Sequence, residues 1–140
     1  MPERKAEALW NGNLKSGNGT VKVGSGLFEG PYTFVSRFEH GEGTNPEELI
    51  AAAHAGCYSM ALSNELSKAG HNIQSVHTKA RITLEMIDGV PTISKIKLDS
   101  TAMVPGLAKD EFLKIAEATK EACPVSRALN IQIILDAKLA

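Results

Sequence analysis

Long apolar runs are missing from this 140-residue chain. No stretch approaches the roughly 20 consecutive apolar residues of a membrane span, so no membrane partner is expected. A surplus of one charge is missing too: 15 Lys and Arg against 16 Asp and Glu give a net charge of −1. Without a basic footprint, nucleic acid is not an expected partner. Cysteine is scarce. The two present, Cys57 and Cys123, are too far apart for a CxxC redox motif or a zinc knuckle. Nor is a disulfide scaffold needed, because a chain of this length buries roughly two-thirds of its unfolded surface. Repeats, linkers and low-complexity segments are also lacking, and the expectation is one domain over residues 1–140. The opening Met-Pro-Glu-Arg-Lys-Ala-Glu has acidic residues and no apolar segment after it, unlike a secretory signal. A cytoplasmic location is therefore expected, where two cysteines are more often free, catalytic or metal-bound than locked in a bridge.

What is present reads as a soluble α+β domain, with 43% hydrophobic and 22% charged residues. Ala6–Trp10, Thr20–Gly24 and Tyr32–Phe38 are strand-length runs separated by glycine turns, which predicts an antiparallel meander. Asn45-Pro46-Glu47-Glu48 then announces a helix: an N-cap residue, proline at the first helical position, and two carboxylates in the first turn. Glu48 stands where a capping box would place it. The helix is expected to run to Lys68-Ala69-Gly70, and between Ile50 and Leu62 it is small or apolar on almost every side. Such a helix belongs inside a fold. Ile73–Glu85 alternates, Asp88-Gly89 suits a hairpin turn, and Thr92–Val104 is the partner strand. Asp110–Ala122 is amphipathic and ends at Cys123, since Pro124 disfavours helical geometry before it. Ile131–Leu139 closes the chain as a strand.

Cys57 lies in the middle of the long helix beside Gly56, whose lack of a Cβ lets a backbone or ligand approach the thiol. Two cysteines alone are weak grounds for function, because free cysteine is among the most buried residue types. The surrounding residues carry more. Thr44-Asn45-Pro46-Glu47-Glu48-Leu49, then Ala51-Ala52-Ala53-His54-Ala55-Gly56-Cys57, and later Cys123-Pro124-Val125-Ser126-Arg127 resemble the OsmC/Ohr family of osmotically inducible and organic-hydroperoxide-resistance proteins. The His-Ala-Gly-Cys form looks closer to the OsmC branch. The resemblance implies antiparallel sheets packed around a long central helix in an intertwined homodimer. It also implies a peroxidatic cysteine at Cys57, a resolving cysteine at Cys123, and supporting roles for Arg37 and Glu47.

Those roles make physical sense. Only a thiolate attacks peroxide, and an ordinary cysteine with a pKa of roughly 8.5 is mostly protonated at neutral pH. A mid-helix position gains little from the helix dipole. Arg37, charged even when partly buried, is a candidate to hold the thiolate and the oxygen charge that develops on O–O cleavage. Glu47 can orient it as a bidentate partner. Glu47 and Cys57 are about 15 Å apart along their helix. Either Arg37 bridges imperfectly, or Arg37 and Glu47 come from a second subunit, which the resemblance favours. The implied cycle passes through a Cys57 sulfenic acid and a Cys57–Cys123 disulfide. Its substrate is an organic hydroperoxide, and its reductant is a small-molecule or lipoyl-type protein dithiol. No metal, flavin or haem is required. Phe34, Phe38 and Met60 are candidate lining residues for an apolar channel.

Two rival readings have discriminators. His54 and Cys57, three apart on one helix, could join Cys123 and another histidine at a metal. His54 reads otherwise as a core residue bonded to backbone, and His77 as a solvent-facing strand residue. A non-enzymatic module with two structural cysteines would show thiols that resist alkylation and oxidation.

Overall fold

The computed structural model describes residues 1–140, which divide into two compact units, Met1–Leu49 and Ile50–Ala140. No helix is long and apolar enough to cross a membrane.

In the first unit, β1 (Ala6–Asn11), β2 (Asn18–Val23) and β3 (Glu29–Tyr32) form an antiparallel sheet in the order β1-β2-β3. The expected meander is present, but its third strand is shorter. After Tyr32 the chain turns into a short helix, α1 (Phe34–Phe38), so the expectation of a strand over Tyr32–Phe38 fails. The reason is local. Thr33 Oγ1 accepts from the Ser36 N–H at 3.1 Å, and Ser36 Oγ accepts from the Thr33 N–H at 2.8 Å. This reciprocal cap satisfies two backbone donors, and it outweighs the strand preference of the phenylalanines and valine around it.

The long helix α2 (Pro46–Lys68) spans the boundary between the units. Asn45 Oδ1 accepts from the Glu48 N–H at 2.7 Å, as expected for the N-cap. The Glu48 carboxylate takes the Thr44 hydroxyl at 2.8 Å rather than closing the box on Asn45. The helix stops at Gly70, whose φ of +93° is open to glycine at little cost; His71 N–H bonds back to Leu66 O and Gly70 N–H to Ser67 O.

In the second unit, β4 (Ser75–Ile87) and β5 (Val90–Met103) form a hairpin. Its turn, Asp88 and Gly89, has positive φ at both residues, the mirror-image geometry that suits the strand twist. α3 (Lys109–Ala122) and the short α4 (Pro124–Ala128) follow, then β6 (Gln132–Leu139). β6 pairs with β5 in parallel, so this sheet, in the order β4-β5-β6, is mixed and not antiparallel throughout. The intervening helices supply the crossover that parallel pairing requires.

The core of this unit joins Tyr58, Leu62 and Leu66 of α2 to Leu98 and Ala102 of β5 and Phe112 and Ala116 of α3. Each fully buried leucine contributes about 1.5–3 kcal/mol. Tyr58 satisfies its buried hydroxyl by donating to Ala116 O at 3.0 Å. A hydroxyl chain from Ser59 through Thr78 to Ser100 ties α2 to β4 and β5. α2 is nevertheless covered on one side only. Ala52, Ala53, Gly56 and Met60 lie exposed, Met60 at 78%. Within a single chain the helix is buried on its inner face only.

Candidate active site

Each unit holds one pair of the expected residues. In the second, α2 presents Cys57 half-buried against the core that contains Cys123. Cys123 is 1% exposed, and Pro124 fixes it in an extended conformation between α3 and α4. Both are free thiols. Burial pushes the Cys57 thiol above its ordinary pKa. A hydrogen bond from the Val125 backbone works against this, and Cys123 raises the value further through a hydrogen bond and through charge. The two cysteines therefore sit close enough to influence each other.

Behind Cys123 lies a polar contact that the sequence reading missed. His54, fully buried on α2, places Nε2 2.7 Å from Ser126 Oγ. Ser126 Oγ in turn lies 3.3 Å from Cys123 Sγ. His54 thus bonds to a side chain from α4, not to backbone as expected, and its Nδ1 has no partner. Desolvation lowers its pKa and keeps the imidazole neutral. Ser126 does not cap its own turn: the Cys123 sulfur caps α4 by accepting from the Ser126 N–H at 3.5 Å. The signal available in sequence was Cys-Pro-x-Ser, four residues that place a hydroxyl one helical turn beyond the thiol. No group of three or more His, Cys, Asp or Glu side chains is arranged to hold a metal ion. His77 is exposed on β4, as expected.

In the first unit, Arg37 on α1 meets Glu47 in the first turn of α2. Arg37 Nε and Nη2 both donate to Glu47 Oε1, at 3.1 and 2.8 Å. Both bonds of the expected pair fall on this one oxygen, and Oε2 is buried without a partner. The pair is one-sided in exposure: Arg37 is 35% exposed and Glu47 6%. Arg37 also lies over the Phe38 ring, 5.2 Å from its centroid. Most of its donors stay unused by the chain. Phe34 and Phe38 line a cavity of about 230 Å³ with Trp10, Leu14, Tyr32 and Arg37. Met60, expected beside them, is not among the residues that line it.

The arrangement has known counterparts. The family of OsmC-like proteins matches residues 39–137. The chain is 46% identical to the peroxiredoxin OsmC of Escherichia coli (strain K12), over 97% of this chain and 96% of that protein. It is 31% identical to an organic hydroperoxide resistance protein-like 2 of Staphylococcus epidermidis, over 69% of this chain and 68% of that protein. In three dimensions it is similar to an OsmC-like protein of unknown function from Vibrio cholerae, with a TM-score of 0.76 and 16% identity, covering 98% and 99% of the two chains. It is similar also to the organic hydroperoxide resistance protein OhrB of Bacillus subtilis, with a TM-score of 0.70 and 21% identity, covering 97% and 98%. The fold is therefore the α+β fold of the OsmC and organic-hydroperoxide-resistance proteins. This chain belongs to the OsmC-like protein family.

Proposed function

We propose that this protein is a cysteine-based peroxidase that removes hydroperoxides, with organic hydroperoxides as substrates and hydrogen peroxide as a second one. The observation that carries the reading is the pairing of a half-exposed Cys57 with a buried Cys123 in one packed unit, in a chain 46% identical to a peroxiredoxin. The Cys57 thiolate attacks one peroxide oxygen. The O–O bond breaks, an alcohol departs, and Cys57 becomes a sulfenic acid. Cys123 then displaces the sulfenic hydroxyl, forming a Cys57–Cys123 disulfide and water, and shields Cys57 from irreversible oxidation. A dithiol, small or carried on a lipoyl-type protein, restores both thiols by exchange. The cytoplasm, where such reductants are kept reduced, is the location that fits.

Cys57 needs positive charge to ionise, because burial and Cys123 both favour the protonated form. Arg37, held on its buried Glu47 and rich in free donors, suits that role and the stabilisation of the leaving oxygen. The units act together as one domain in a homodimer, in which Arg37 and Glu47 of one protomer complete Cys57 of the other. Two features support this. The α2 face of Ala52, Ala53, Gly56 and Met60 is bare, and beyond its own turn of helix nothing lies within 4 Å of where a Gly56 Cβ would stand. A contiguous apolar helix face left open in this way is characteristic of an interface.

Peroxide consumption with a dithiol reductant tests the reading. Wild type should turn over, Cys57→Ser should not, and Cys123→Ser should accumulate a sulfenic acid that a dimedone-type probe traps. A wild type that consumes no peroxide while both thiols stay unreactive would refute it.

A further inference from the structure

Cys123 presents a chemical difficulty that the four expected residues do not solve. To attack the Cys57 sulfenic acid it must lose its proton, yet at 1% exposure it is shielded from bulk solvent. His54 and Ser126 answer this. We infer that the buried chain Cys123 Sγ, Ser126 Oγ, His54 Nε2, with steps of 3.3 and 2.7 Å, is a proton relay that serves the resolving thiol. The inference rests on the peroxidase reading above.

Three observations support it. First, the serine hydroxyl is one donor with two acceptor lone pairs, so it can take a proton from sulfur as it gives its own to imidazole. Second, His54 is buried in its neutral form, and its Nε2 faces only Ser126. With the proton on Nδ1, Nε2 is free to accept. Third, a histidine whose only task is to satisfy the core would use both ring nitrogens. Here Nδ1 is left without a hydrogen-bond partner in the chain. Its one hydrogen bond is made through Nε2, to Ser126.

The step balances. The Cys123 sulfur bonds to the Cys57 sulfur, and the S–O bond of the sulfenic acid breaks. The hydroxide leaves with its electron pair. The Cys123 proton moves to Ser126 Oγ, and the Ser126 proton moves to His54 Nε2. The imidazolium then returns a proton through Ser126 to the departing hydroxide, so the products are a disulfide and one water, and no proton has to leave the buried site. Cys123 is oxidised as the sulfenic sulfur is reduced. In the reductive half of the cycle, the same path returns a proton to Cys123 as the disulfide opens.

His54 acts through Ser126 and touches no reacting atom, so the test must separate relay from packing. The full-length protein, fully reduced, is mixed rapidly with one equivalent of a hydroperoxide. Sulfenic acid and disulfide are then followed separately. His54→Gln keeps an amide that can hydrogen-bond Ser126 but has no basic nitrogen. It should form the sulfenic acid at the wild-type rate and close the disulfide slower by on the order of a hundredfold, as loss of a general base does. Ser126→Ala should behave likewise, and Ser126→Thr, which keeps the hydroxyl, should restore closure. If His54→Gln or Ser126→Ala closes the disulfide at the wild-type rate, the relay is refuted. If Ser126→Thr is as slow as Ser126→Ala, a packing role explains the site and the relay is refuted again. A wild type that forms no sulfenic acid at all would overturn the peroxidase reading, and the relay with it.

Discussion

Burial holds the Cys57 thiol in its protonated form within one chain, and Cys123 adds to that effect. The sign matters for reactivity. A raised pKa means a small thiolate fraction at neutral pH and a reaction rate that climbs as pH rises through the shifted value. If Arg37 supplies the missing positive charge, alkylation of Cys57 in wild type should be half-maximal below the ordinary cysteine pKa. In Arg37→Met the midpoint should move above it. Iodoacetamide labelling against pH, read by mass spectrometry at Cys57, makes the comparison, and unchanged midpoints would remove Arg37 from the site. Arg37 and Glu47 also show what residue types alone do not reveal. Charge and partner were legible, but the pairing through a single Glu47 oxygen depends on how α1 is turned. Ser36 anchors that turn, with its Oγ bonded to the Thr44 carbonyl at 2.8 Å.

At the scale of elements, α2 carries two faces with different tasks. Tyr58, Leu62 and Leu66 pack inward, whereas Gly56 and Met60 face outward. Leu62→Ala removes a side chain with no exposed surface, and the stability of the folded protein should fall by about 2–5 kcal/mol in urea unfolding. A loss under about 1 kcal/mol would mean that the site collapses around the cavity or that Leu62 is not core. The ends of α2 were legible from Asn45, Pro46 and Gly70, because caps and stops are local chemistry. The β4–β5 turn was legible for the same reason. α1 was missed although its signal is also local: Thr33 and Ser36 cap each other, and the flanking apolar residues imitate a strand.

For the whole molecule, the proposed dimer makes a complementation test available. Arg37→Met alone and Cys57→Ser alone should each be inactive. If the site is composite, mixing and refolding the two should recover about a quarter of wild-type activity. Half of randomly assembled dimers then carry both variants, and each of these has one intact site of two. No recovery, despite mixed dimers in mass spectrometry, would place Arg37 and Cys57 in the same protomer.

What the amino-acid order determined by itself was most of what near neighbours and pattern set, the short helix α1 excepted. This covers the long capped helix, the hairpin, the amphipathic α3 that stops before Pro124, and the pair of thiols set in recognisable surroundings. Tertiary structure decided the rest. The parallel placement of β6 against β5 follows from the way α3 and α4 carry the chain back, a matter of packing that strand alternation does not encode. The meeting of His54 with Ser126 joins residues far apart in the chain. It exists because α2 and α4 share one core and a buried imidazole must find a hydrogen-bonding partner there.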